Sequence, residues 1–173
     1  LMAFGIKQVG RWADARVVAA FERDAVNASS NLAARLEYPL HSLEALRGTY
    51  LASDDVTRQD MQRATAAWLA RSNDLQAMGW TELIARADAP AYEARVRASG
   101  LPDFRVFDRT DTRFKPQADD VLAVMRYIEP MEGNARILGV NARSVPEARA
   151  AIDTAIRTDM PVATAGFRAT QGV

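Results

Sequence analysis

The sequence predicts an α+β fold in which a long N-terminal helix precedes a mostly antiparallel sheet with flanking helices. Three observations predict it. Glycine is absent between Gly10 and Gly48, where Ala, Glu, Arg and Leu are frequent. Apolar residues recur there at spacings of three and four, whereas shorter apolar runs alternate with turn residues further on. The gaps between some of those runs, such as Glu129 to Ala135, have hairpin length and favour antiparallel neighbours. The chain is read as a stalk over residues 1–53 and a folded domain over residues 54–173.

Helix is expected from Ile6 to about Ala52. Leu32, Leu36, Leu40, Leu43, Leu46 and Tyr50 form one stripe expected to be buried. Pro39 is expected to bend or break the helix near Glu37. Trp12, Val17 and Phe21 form a looser stripe on a segment too long for a small core to cover, and are expected to meet a second copy of the chain. After a turn at Ser53-Asp54-Asp55, Thr57 and Asp60 mark a helix start, with Val56 and Met61 as its apolar staple. A strand follows from Leu75 through Trp80 to Leu83. A helix opens at Asp88-Ala89-Pro90 and stops at Gly100. Strands are expected at Phe104–Phe107, Val121–Ile128 and Arg136–Val140. Ser144 and Glu147 read as a capping box for a last helix, and Val162–Ala165 as a last strand.

The composition excludes much. Lys+Arg and Asp+Glu are 22 each among 173 residues, so no net charge draws the chain to nucleic acid or to an anionic membrane. With no cysteine there are no disulfides, thiolate ligands or cysteine nucleophiles. No apolar run is long enough to span a bilayer. His41, with Glu37 and Glu44 in helical reach, has no nucleophile beside it and reads as a solvated helix residue. Asp108, Thr110 and Asp111 lack the glycine of a calcium loop. Asp54-Asp55 and Asp119-Asp120 read as turn acids. There is no glycine-rich phosphate loop. No enzyme chemistry, metal or cofactor is expected. Trp80, Met125, Tyr127 and Leu138 line one face of the sheet; they are either plain core or the apolar wall of a ligand pocket.

Three blocks in order then resemble a known family. They are Ala67-Trp68-Leu69 leading to Leu75-Gln76-Ala77-Met78-Gly79-Trp80; Tyr92-Glu93 through Arg97, Gly100 and Pro102 to Val106; and Tyr127-Ile128-Glu129-Pro130 through Asn134 to Leu138-Gly139. This pattern resembles the CHASE domain, the extracellular sensory module of histidine kinases and nucleotide cyclases, over roughly Leu43 to Ala165. The resemblance implies a PAS-like sheet behind the stalk helix and a periplasmic domain of a membrane-anchored receptor. It implies ligand binding without catalysis, and a homodimer through the stalk. The plant cytokinin receptors are distant members. There an aspartate before the third strand holds the ligand ring, and Asp119 or Asp120 stands in that place. A threonine on the strand after the last helix lines that pocket, and Thr164 matches it. The implied partner is a small molecule of unknown identity, with Asp119, Asp120, Thr164, Tyr127, Met125, Trp80 and Leu138 around it. Asn141 stands where the family has an aspartate, and Gly166 where a proline would follow. Family members usually continue with further strands, so the sheet is expected to be incomplete at its C-terminal side. The rival expectation is a dimerising spacer with no ligand.

Overall fold

A computed structural model describes residues 2–53, 55–71, 75–109 and 119–168, with side chains from Arg16 onward. Thr110 and Asp111 of the acidic loop, Asp54 and the side chain of Trp12 therefore lie outside the described residues. Helix α1, Met2–Leu51, is 50 residues long and runs without interruption through Pro39. The expected break does not occur. One proline removes one ladder bond from a segment otherwise rich in helix formers, and the Ser42 hydroxyl donates to the Pro39 carbonyl at 2.7 Å.

The chain divides into two compact units, Leu1–Glu44 and Ala45–Val173. The first is helix alone. Its apolar stripe is exposed rather than buried: Val17, Phe21, Val26, Leu32, Leu36, Leu40 and Leu43 all face solvent.

In the second unit, Leu46 in the last part of α1 is buried. Helix α2, Arg58–Arg71, opens as expected. The Thr57 hydroxyl accepts from the Asp60 amide at 3.2 Å, and the Asp60 carboxylate accepts from the Thr57 amide at 3.1 Å, a reciprocal cap. Strand β1, Met78–Ala85, a single 3₁₀ turn and helix α3, Ala89–Ala98, follow. Asp88 makes no side-chain cap bond. Gly100, at φ +104°, ends α3 in a conformation that side-chain-bearing residues avoid. Then come β2, Phe107–Asp108, β3, Val121–Glu129, β4, Val140–Asn141, and α4, Pro146–Thr158.

The sheet order is β1-β3-β4-β2. It is mixed, not antiparallel throughout: β1–β3 and β3–β4 are antiparallel, and β2–β4 is parallel. The expected strand at Arg136–Val140 shrinks to β4, preceded by a 3₁₀ turn at Ala135–Ile137. Gly139 explains why. A Cβ there would lie 1.8 Å from the Arg105 carbonyl oxygen, and its φ is +82°. The backbone dives under the preceding loop to donate to the Met125 carbonyl and accept from the Phe107 amide.

Two further expectations fail. Ser144 does not cap α4. Its hydroxyl donates to the Asn141 carbonyl at 2.6 Å and accepts from the Arg109 amide at 2.8 Å, so Val145 takes the cap position without a side-chain bond. Val162–Ala165 is irregular and exposed, and takes neither sheet edge.

Candidate functional site

Strand alternation and pairing define the face on which a site forms. Along β1, Met78, Trp80, Glu82 and Ile84 share one side. Their partners on β3 are Glu129, Tyr127, Val124 and Leu122. The step from Val124 to Tyr127 is three residues, because the register shifts between Trp80 and Thr81 and leaves Arg126 as the extra residue of a β-bulge. The bulge therefore brings Tyr127 onto the face of Val124, and Met125 pairs with Thr81 on the other side.

Two covers rest on this face. Near Leu122 and Val124, Tyr92, Val96 and Phe104 close a core. Near Met78 and Tyr127, the end of α1 and α2 close another through Leu46 and Met61. A cavity of about 520 Å³ opens at the bulge, bordered by the last turn of α1, the α1–α2 loop, the C-terminal end of α3 and strands β1 and β3.

Each wall is fixed by a specific contact. Tyr50 of α1 stacks on Trp80 of β1, with centroids 3.4 Å apart and planes 7° from parallel. The Tyr127 hydroxyl donates to the Val56 carbonyl at 3.0 Å and ties the loop to the strand. Burial pushes the phenols of Tyr50, Tyr92 and Tyr127 upward; the Glu82 carboxylate adds to the effect on Tyr92. At neutral pH all three are uncharged donors, not bases.

The one charge deep in the wall is Arg126, which is 8% exposed. Its Nη2 donates to the Ser99 hydroxyl at 3.0 Å, its Nε lies 4.0 Å from a Glu82 carboxylate oxygen, and its guanidinium sits 4.5 Å from the Tyr127 ring centroid. Its Nη1 is buried with no hydrogen-bond partner among the described residues. Arg95 lies at the more open mouth, 5.0 Å from the Tyr92 ring centroid, and Asp55 adds an acid. Among the described residues no group of three potential ligands is arranged to hold a metal, and no helix is long and apolar enough to cross a membrane.

Of the seven residues expected around a ligand, the structure brings Trp80 and Tyr127 together on the cavity wall. Met125 lies on the opposite face, its sulfur 2.8 Å from where a Gly79 Cβ would stand. The expectation that Met125 and Tyr127 share a face fails because the bulge breaks the alternation. Leu138 packs against the Tyr92 core. Asp119 precedes the far end of β3, about 20 Å of strand from Arg126. Its carboxylate accepts from Arg149 at 2.6 Å, and Arg143 lies 3.9 Å away. Arg149 above all holds its carboxyl below the usual range. Asp120 is exposed, with its carbonyl accepting from the Arg86 amide at 2.7 Å. Thr164 is exposed on the irregular segment after α4.

Sequence reasoning passed over Tyr50, Glu82, Arg95 and Arg126. One signal was present: Arg126 is the single charge in the apolar run Val121–Ile128, and a charge in a buried strand needs a partner or a purpose.

Comparison with known proteins agrees with the three sequence blocks. A family model described as CHASE domain matches residues 54–172, more than half of the chain. No curated protein matches the chain.

Proposed function

The chain belongs to the CHASE domain family, a family of sensory extracellular domains of signalling receptors, and on that premise we propose that it is the ligand-sensing domain of a membrane-anchored receptor, placed in the periplasm. The output is of the histidine kinase or nucleotide cyclase type, diguanylate cyclase included. The ligand site is the cavity at the β3 bulge. The observation that carries this reading is the composition of its walls. One wall is the last turn of α1 and the loop after it, so an occupant touches the helix itself through Tyr50 and Leu51. A ligand that fits one setting of that turn better than another shifts the balance between them. None of the wall residues supplies a nucleophile with a base beside it, so the reading is binding without catalysis.

The exposed apolar residues Val17, Phe21, Leu32 and Leu36 support pairing of the stalk with a second copy. The same feature favours a second reading, a dimerising spacer without ligand. A thermal-shift screen of small metabolites separates the two. Ser99→Trp, at an exposed position on the cavity mouth, serves as the blocked control. A compound that raises the melting temperature of the wild type by several degrees, and leaves Ser99→Trp unmoved, supports sensing at this cavity. Equal stabilisation of both proteins moves the site elsewhere. A screen with no stabilising compound favours the spacer.

A further inference from the structure

Resting on the sensing reading above, we propose that the cavity takes a small zwitterion, an α-amino acid with an apolar side chain, its carboxylate on Arg126 and its ammonium facing Glu82. The unpartnered Nη1 of Arg126 is the starting point. A buried guanidinium nitrogen without an acceptor is unfavourable, and no described group of the chain accepts from it. Glu82 meets Arg126 only at Nε and only at 4.0 Å. The Ser99 hydroxyl accepts from Nη2 and donates to the Val96 carbonyl at 2.8 Å. An oxygen supplied from the cavity completes the set, and a carboxylate suits a guanidinium geometrically.

The charges of the lining narrow the class. Arg95 and Arg126 are balanced by Asp55 and Glu82. A phosphate or a dicarboxylate would bring its second charge against Glu82. A plain amine would leave Nη1 unmet. A molecule carrying one charge of each sign, a few ångströms apart, matches both. Trp80, Tyr50, Leu51 and Val56 make the remaining wall apolar or aromatic, which fits an apolar side chain, and a space of about 520 Å³ is in the range of small-ligand sites.

The test is isothermal titration of the wild-type chain with each of the twenty common L-amino acids. The best binder is then compared with its primary amide, which lacks the carboxylate, and its N-acetyl derivative, which lacks the ammonium. Each loss is expected to weaken binding by about 10-fold or more. Arg126→Gln is expected to do the same to the parent amino acid and to abolish the difference between acid and amide. Arg95→Gln, at the open mouth, keeps the fold even if Arg126→Gln melts, and is expected to weaken the acid more than the amide. Failure of all twenty to bind at millimolar concentration overturns the proposal, and so does equal binding of acid and amide. If the metabolite screen then finds an uncharged compound whose stabilisation Ser99→Trp abolishes, the zwitterion is wrong and sensing at this cavity stands. If neither experiment yields a ligand, both fall.

Discussion

The two ends of β3 each carry an arginine–carboxylate group, and they are put together differently. Before Val121, Asp119 is gripped by Arg149 and Arg143, and Arg86 binds its backbone carbonyl at 2.8 Å. That carboxylate is spent on joining α4 and the turn after β4 to the start of the strand. At the bulge, Arg126 makes one good side-chain hydrogen bond and one long ion pair, leaves a nitrogen unmet, and borders open space. Charge in or beside a buried strand therefore has two uses. Around Asp119, Oδ2 and the Arg143 Nε lack a hydrogen bond of good geometry, but each charge there meets an opposite one within the chain, and the cluster is scaffold. At Arg126 the carboxylate of Glu82 stays 4.0 Å away and a cavity lies beside the guanidinium, so the cluster is poised for something from outside.

The largest effect is expected from interfering with the scaffold. Asn141 is 1% exposed. Its side-chain oxygen accepts from the Ala123 amide at 3.0 Å, and its nitrogen donates to Asp108 at 2.7 Å. Asn141→Asp would set a second carboxylate against Asp108 in a buried place, with the Arg86 guanidinium to offset part of the repulsion. We expect a loss of about 2–3 kcal/mol at pH 7, partly regained near pH 5 as one acid takes a proton. Urea unfolding at the two pH values measures it. An unchanged midpoint would mean that Arg86, 3.2 Å from Asp108, offsets the added charge in full.

Asp119→Asn should cost less, about 1–2 kcal/mol, since the cluster is only partly buried. The pH dependence has a definite sign. Asp119 is depressed in the folded state, so its contribution is present above the unfolded carboxyl value and is lost as pH falls through the folded one. Asp119→Asn should therefore flatten the acid limb of stability against pH, leaving the part due to Glu93, which the Val106 amide holds down in the same sense. Ligand affinity at the cavity should not change; a large loss there with the melting temperature intact would carry Asp119 back into the site.

Tyr127→Phe is the mildest change. It removes the hydroxyl that holds the Val56 carbonyl, worth about 1 kcal/mol. Amide exchange should quicken in residues 55–57, at the cavity, and stay unchanged in α4. Uniform quickening would show that the two ends of β3 unfold as one unit.

The same contrast separates what was legible in the sequence from what was not. The family blocks turn out to be largely scaffold chemistry. Glu93 accepts from the Val106 amide at 2.8 Å and from Arg97, which also binds the Phe104 carbonyl at 3.0 Å; Asn134 donates to the Pro130 carbonyl at 2.9 Å; Gly139 permits a contact that any Cβ would forbid. Such residues are readable because each is required by its own backbone surroundings. The reciprocal cap of Thr57 and Asp60 was readable for the same reason, since both partners lie within one helical turn. Ser144 looked equally local, but its hydroxyl was claimed by Arg109, 35 residues away.

By itself, then, the sequence determined the α+β class, the long first helix, the start of α2, the glycine stop of α3 and the family. Tertiary structure alone decided that Pro39 is carried within the helix, that β2 joins the sheet in parallel, and that Val162–Ala165 stays out of the sheet. It also decided where the cavity lies. A bulge is a mismatch between two strands, here where paired residues lie more than 40 positions apart, and no periodicity within either strand records it. That one extra residue turns Tyr127 inward, leaves Met125 behind, and sets Arg126 at the edge of an open space.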